Sequence, residues 1–360
     1  MRSAAVTPDR SGNTARPRGF ILAVTLWILA GITIAVALMT LWAVAQVQDA
    51  QLARDQFQDE ASLYETRDTL LYLLATREKT RAGQPTRAIT QDEIAVRRLS
   101  EFGMLDREPV GGELRLDGSP YRGLGSTVFA MQDEAGLLSM VWPFPAELNR
   151  FLALYQVPPE SWPRLRDTLL DYLDPDDLTR LNGAEAREYQ QAKRLPPPNR
   201  RLLVPGELAR VMAWDTLPPQ KLAAMVEHIS PYYSGGLNLN TAPEELLPLR
   251  IPGCPEACRR LVQQRREKPF ASTLELQGRL AIQVPGDDAL DYRYVADDGM
   301  RLTLWRRTGA AWRIHVRLTP LADQQGPWSI LAAYPIARPA THETVEQTGS
   351  PLFADKASGQ

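Results

Sequence analysis

Cysteine is nearly absent from this 360-residue chain: Cys254 and Cys258 are the only two. A disulfide framework is thereby excluded as the main source of stability. Histidine is scarce too. His228, His315 and His342 share no metal-ligand spacing, so a zinc site built with the two cysteines lacks partners. No Ser-His-Asp spacing, no Walker loop and no H-E-x-x-H occurs. Gly123-x-Gly125 lacks the third glycine and the following helix of a dinucleotide fingerprint. The chain therefore reads as no enzyme. Excess positive charge is missing as well, the net charge being −2. Arg2, Arg10, Arg16 and Arg18 against Asp9 give the first 19 residues +3, which leaves −5 on the rest. A nucleic-acid binder that relies on overall charge does not fit that balance. From Phe20 to Ala45, 26 residues, there is no charge of either sign.

That apolar run is the first positive feature. At about 1.5 Å per residue it makes a helix of about 39 Å, enough to cross a hydrocarbon core of roughly 30 Å. A secretory signal has an apolar region of roughly 7–15 residues, so a cleaved signal fits poorly on length. Ala43-Val44-Ala45 nonetheless has the small-x-small form of a cleavage site. The basic leader keeps the N-terminus in the cytoplasm, which puts the body of the chain on the other side of the membrane. Beyond Ala45 no proline or glycine interrupts the sequence until Gly83. Leu52, Phe57, Ala61, Tyr64, Leu71 and Leu74 recur at helical spacings there. The pattern predicts one helix over 20–83, transmembrane over 20–45 and amphipathic after it, with a partner surface that is most simply a sheet.

The length allows two or three domains. Ser126 to Met140 reads as a strand, a turn at Asp133-Glu134-Ala135-Gly136 and a second short strand. Residues 300–307, 311–320 and 328–336 read as three more, the first two joined as a hairpin by Thr308-Gly309-Ala310. Between these sheet segments, residues 144–290 are helical in character. Here "ELNRFLALYQVPPESWPRL" (147–165) aligns without a gap with "ELARVMAWDTLPPQKLAAM" (207–225), and "EELLPLRIPGCPEACRRL" (244–261) is a shorter third copy. Each copy predicts a helix, a tight proline turn and a second helix, because proline costs little in a first helical turn. The third resembles a helix-hairpin-helix module, whose hairpin holds DNA phosphate at a helix N-terminus. Arg259, Arg260, Arg265, Arg266 and Lys268 could line such a site, but four of these five follow the short helix and read as a solvated face. Cys254 and Cys258 stand one helical turn apart, a Cα separation of about 6 Å that permits a disulfide. A local bridge and two buried thiols both fit.

Five stretches keep a common order. They are Gly19-Phe20 with its apolar helix, "DEAGLLSM" (133–140), "DYLDPDDLTRLNGAEAREY" (171–189), "PPPNRRLLVPGEL" (196–208) and "LNLNTAP" (237–243). Together they resemble the K-type minor pseudopilins, the general secretion pathway protein K family of type II secretion systems. Tyr172 stands where that family has Trp, and Ser139-Met140 where it often continues with Asn. The resemblance implies an α+β pseudopilin fold, a long N-terminal helix packed on a small antiparallel sheet. A large all-α insert of helix-hairpin-helix or SAM-like type interrupts it. It divides the chain into a leader (1–19), the helix (20–83), a first sheet segment (84–143), the insert (144–290), a second sheet segment (291–340) and a disordered tail (341–360).

The same resemblance implies processing by a prepilin peptidase, which cuts after Gly19 and methylates the new amine of Phe20. Most relatives carry Glu at the fifth mature position. A carboxylate there is costly in lipid or a packed helix core unless paired, and it is thought to pair with a neighbour's N-terminal amine. This chain has Val24. That departure implies a place at the filament tip, initiating or capping it with the I- and J-type minor pseudopilins. The body would lie in the periplasm of a bacterium, the helix in the inner membrane, with no nucleic acid expected. Relatives are calcium-binding, which makes Asp174, Asp176, Asp177 and Glu185, beside Asp171, candidate ligands. The spacing is not that of an EF-hand, and a capped helix end with solvated acids fits the same residues. The competing reading is a membrane-anchored helix-hairpin-helix DNA-binding protein of the competence type. An ordinary bitopic protein whose helical repeats bind a partner is a third.

Overall fold

The computed structural model describes residues 20–96, 107–286, 288–306, 309–323, 326–339 and 352–353. The leader, Gly19 and His342 lie outside the described residues. The chain divides into two units, residues 1–58 and 59–360. Helix α1 (Phe20–Thr76) runs from the first into the second.

In the first unit α1 is uncharged at its start, and its apolar side chains meet no neighbour: Phe20, Trp27 and Leu41 are all exposed. Its polar groups are satisfied internally. The hydroxyls of Thr25, Thr33 and Thr40 donate to the carbonyls of Leu22, Leu29 and Val36, as a helix in lipid requires. An 18-residue window with mean hydropathy 2.6 makes α1 long and apolar enough to span a membrane.

In the second unit the helix does meet a sheet. Leu63, Leu70, Leu71, Leu73 and Leu74 are buried against Leu116, Phe129, Met131, Leu302, Leu304 and Val316. Each buried leucine contributes about 2 kcal/mol, so this seam fixes the end of α1. The expected apolar face is only partly the observed one. Leu71 and Leu74 are buried, whereas Leu52, Phe57 and Tyr64 stay exposed. The sheet takes a stripe through Leu63, Thr66, Leu70 and Leu74, rotated from the expected one. The helix also stops at Thr76, before Gly83. The Gln84 amide caps it by donating to the carbonyls of Leu73 and Arg77.

Next come β1 (Gln84–Pro85), α2 (Gln91–Val96) and β2 (Glu113–Leu114), with β1 paired to β2. The main sheet is antiparallel. It uses β3 (Asp117–Arg122), β4 (Val128–Asp133), β9 (Gly299–Trp305), β10 (Ala311–Asp323) and β11 (Gly326–Ile336), in the order β11-β10-β9-β4-β3. Strand β3 carries Gly118 and Pro120, which hide it from a period-two reading. The decisive pairing is β4 with β9, Asp133 opposite Met300. The chain leaves the sheet at one and returns at the other, so everything between is an insertion with adjacent ends.

The insertion begins with β5 (Leu138–Ser139), α3 (Pro145–Leu154), α4 (Trp162–Leu173), α5 (Ala186–Gln191), α6 (Pro219–Glu227) and β6 (Ile229–Ser230). It continues with β7 (Leu237–Asn238), α7 (Glu256–Glu267), α8 (Thr273–Leu280), α9 (Asp288–Asp291) and β8 (Tyr292–Arg293). Two short parallel ladders, β5 with β6 and β7 with β8, tie the two ends of the insertion to its interior. The repeat is visible in the packing. Leu148, Phe151 and Leu165 share one core with Leu208, Val211 and Met225, their counterparts, and Val157 joins it with its counterpart Leu217 packed at the edge. Only the first copy starts with an α-helix. The first limbs of the second and third are 3-10 turns, Pro205–Arg210 and Glu244–Leu249. Pro205-Gly206 and the internal Pro248 disfavour α hydrogen bonding there. In the tail, Leu352 and Phe353 pack on the sheet core, Phe353 edge-on to Phe129. That pair packs within the tail expected to be disordered.

Candidate functional sites

At the start of α1, Phe20 is 72% exposed and Val24 38% exposed. Neither is engaged within its own unit. The segment that the sequence marks for processing and assembly is thus an unpartnered apolar rod.

The acidic loop follows α4. Asp171 is on the last turn of that helix and Asp174 is its C-cap. The Asp171 carboxylate lies fully buried and accepts from the backbone N–H groups of Ala184 (2.9 Å) and Arg180 (3.2 Å). Gly183 makes this approach possible, since a Cβ there would stand 1.8 Å from Asp171 Oδ2. The Arg180 guanidinium bridges Asp171 Oδ1 (2.6 Å) and Asp174 Oδ2 (2.5 Å). Asn199, from "PPPNRR", closes the far side by donating to the Asp176 carbonyl and Asp177 Oδ1. Glu185 is 4% exposed and is the N-cap of α5, where it forms a capping box with Glu188: its side chain accepts from the Glu188 backbone N–H, and the Glu188 carboxylate accepts from the Glu185 N–H at 3.0 Å. Burial and the nearby charges of Asp171, Asp174, Asp177 and Asp176 push its pKa up to about 7. Burial also raises Asp174, against the pull of Arg180, and its Oδ1 is unpaired. Among the described residues no three acidic, histidine or cysteine ligands converge on a single point. The structure brings the predicted acids to one loop and puts an arginine at its centre. Tyr172 uses its hydroxyl, which the family's Trp would lack, to donate to Glu207 (3.0 Å).

The sheet–insert junction unites two motifs more than a hundred residues apart. The buried Asp133 carboxylate, from "DEAGLLSM", accepts from Asn238 Nδ2 (2.8 Å) and Thr241 Oγ1 (2.9 Å), both from "LNLNTAP". The backbone N–H groups of Ala135 and Asp297 donate to its other oxygen, each at 3.1 Å. Gly136 lets the two turns meet, since a Cβ there would stand 2.7 Å from Thr241 Oγ1. Asn240 ties the loop to the Phe270 and Tyr294 carbonyls. Next to it Glu134 bonds the buried His315 Nδ1 at 2.6 Å, and the Tyr334 hydroxyl meets His315 Nε2 at 2.9 Å. Burial lowers the His315 pKa despite that carboxylate. Both motifs are legible in the sequence; their convergence is not, because nothing local links positions 133 and 238.

The basic run does not form a phosphate site. Helix α7 continues to Glu267, so Arg259, Arg260, Arg265 and Arg266 lie within it rather than after it. Arg265 is no part of a solvated face: it is buried, donating to the carbonyls of Leu239 and Ala242, each at 2.8 Å. Arg259 pairs with Glu256 in solvent. Cys254 and Cys258 form a disulfide, Cα atoms 5.1 Å apart.

Comparison with known proteins agrees with this architecture. A family profile described as type II secretion system protein K matches residues 144–229. The fold is similar, at a TM-score of 0.51 and 13% identity, to a chain in the crystal structure of the GspK-GspI-GspJ complex from the type 2 secretion system of enterotoxigenic Escherichia coli. The likeness covers 79% of this chain and 99% of that one. No curated protein matches the chain in sequence.

Proposed function

We propose that this chain, a K-type minor pseudopilin by its matched domain and its fold, stands at the tip of a type II secretion pseudopilus. There it starts or caps the filament and so supports export across the outer membrane. The observation that carries this reading is Val24, an apolar residue at the fifth position of an otherwise fitting shaft helix. A subunit with Glu there can pair its carboxylate with the amine of the subunit it docks beneath. Valine offers no such bond, so nothing rewards placing this subunit below another. The role is architectural, with no catalytic chemistry of its own.

The similar chain is described in a complex with GspI and GspJ. By the same logic the partners here are I- and J-type minor pseudopilins, met through the exposed first half of α1. The helix sits in the inner membrane and the body in the periplasm. An oxidising compartment suits the Cys254–Cys258 disulfide.

Processing is the direct test. N-terminal mass spectrometry of the membrane-extracted protein should find a mature start at methylated Phe20. An intact Met1, or a start at Gln46, would refute the assignment. A second test concerns position. Val24→Glu should allow some subunits into the interior of the filament, scored by crosslinking to major-pseudopilin neighbours. Unchanged tip-only crosslinking counts against the role given to Val24.

Calcium belongs to the same proposal. Hard cations take several oxygen ligands, and the loop offers Asp174, Asp176, Asp177 and Glu185 beside Asp171. The reading rests on one orphaned buried oxygen, Oδ1 of Asp174. Bound there, calcium would neutralise the loop and tie α4 to α5.

A further inference from the structure

The three copies of the repeat do not close on one another completely. Between them lies a cavity of about 730 Å³ that opens to solvent, within the roughly 300–1,000 Å³ of ligand sites. Leu154 and Tyr155 come from the first copy, Ala224 from the second, and Pro248, Pro255 and the Cys254–Cys258 cystine from the third. The wall is therefore mostly apolar. The disulfide ties the turn before α7 to the first turn of that helix, which holds this side of the wall in place.

The polar groups are fewer, and they share one sign. Tyr155 caps the C-terminus of α3 and His228 that of α6, so two helix ends with partial negative charge meet at the cavity. The Tyr155 hydroxyl bonds His228 Nδ1, and His228 Nε2 is 4.0 Å from the Glu245 carboxylate. Burial lowers the His228 pKa against the pull of Glu245, so the ring brings no positive charge near neutral pH. Glu244 also lines the cavity, and Glu245 is 68% exposed as a side chain, which puts its charge at the rim. Among the described residues no lysine or arginine lines the cavity, and neither glutamate forms an ion pair with one. The start of α7, a positive helix end on the cystine side, carries Glu256 in its own first turn.

We propose that this cavity is a docking site for an extended segment of a partner protein, one that offers a leucine- or phenylalanine-sized side chain to the apolar wall and a lysine or arginine to Glu244 and Glu245. Charge complementarity selects this occupant: an apolar floor under a negative rim rewards a cationic, amphipathic segment and rejects an acidic one. The open mouth lets a chain cross the cavity with its ends in solvent.

The probe is a blocked tetrapeptide of alternating photo-leucine and lysine. It is irradiated with the full-length protein in detergent, and the crosslinks are mapped by mass spectrometry. They should fall on Leu154, Ala224 or Pro248. Ala224→Trp fills the cavity, and Glu245→Lys reverses the charge of the rim; both positions are exposed, so the core is left intact. Each should lower labelling about tenfold at a fixed, subsaturating peptide concentration. A peptide with glutamate in place of lysine should label the parent protein as weakly, and Glu245→Lys should partly restore it. Thermal melts check that both variants fold, and the comparison of the two peptides on the parent protein needs no variant. Equal labelling by the two peptides, labelling unmoved by both substitutions, crosslinks elsewhere, or no labelling each overturns the proposal. Competition by n-hexylamine as effective as that by unlabelled tetrapeptide assigns the cavity to a small amine and overturns a protein segment as its occupant.

Discussion

Asp133→Ala is expected to destabilise the folded protein by about 4 kcal/mol near neutral pH. The carboxylate serves four donors, Asn238 Nδ2, Thr241 Oγ1 and the N–H groups of Ala135 and Asp297. Alanine removes the acceptor of all four; the Asn238 amide and the Ala135 N–H are left buried, the Asp297 N–H is half-buried and Thr241 retains only a long contact to the Asn238 carbonyl, and each orphaned donor costs about 1–3 kcal/mol, partly relieved by entering water. Asp133→Asn keeps the shape but turns an amide N–H₂ toward one pair of donors, so about half the loss should remain. Chemical denaturation of the three proteins measures this; a change under about 1 kcal/mol for Asp133→Ala would show that the junction does not depend on the carboxylate. A pH signature accompanies it. Burial pushes the Asp133 pKa up to about 6, its four hydrogen bonds pulling the other way. An unfolded aspartate titrates near about 3.9. Between these values the folded chain holds the extra proton. The contribution of Asp133 to stability is therefore greatest below about pH 4 and falls as pH rises through about 6. Asp133→Ala should remove that slope.

Arg265→Met should cost about 3 kcal/mol, while Arg259→Gln and Arg266→Gln should each stay within about 0.5 kcal/mol. The difference lies in burial. Arg265 is the shared donor for the Leu239 and Ala242 carbonyls, with Asp117 of the sheet 4.0 Å away. Burial pulls its pKa down to about 10, still charged at any physiological pH. Methionine fills the volume but leaves both carbonyls without a partner. The same variants separate architecture from DNA binding. A phosphate site would show salt-dependent DNA affinity that falls when Arg259 and Arg266 are neutralised. No such binding is expected, and thermal melts should single out Arg265 alone.

The elements most visible in the sequence are those governed by local pattern. An uncharged run of 26 residues announces α1, and alternation announces β9 and β10. The proline-turn copies align Leu148 with Leu208 and Leu165 with Met225 in sequence, and the structure gathers them into one core. Strand β3 is hidden because Gly118 and Pro120 suit a turn as well as an edge strand. The apolar face of α1 differs from its pattern for another reason. Leu52, Phe57 and Tyr64 are spaced like core residues, but the sheet reaches only the stripe from Leu63 to Leu74, and the others remain at the surface. In the acidic loop composition exposes the carboxylates, but not Arg180. An arginine six residues past Asp174 looks like any solvated charge until the loop folds back.

The sequence by itself determined the long apolar helix, the position of Val24, the helical insertion and the acids of its loop. Each depends on residue type and short-range spacing, which the chain carries in its order. Only the tertiary structure decided where α1 ends, which arginine of α7 is buried and what neutralises Asp171. It also decided that "DEAGLLSM" and "LNLNTAP" form one lock. Those outcomes depend on which distant groups meet in a water-poor interior. There an unpaired donor or charge is costly, and the fold selects among partners that sequence distance leaves undetermined.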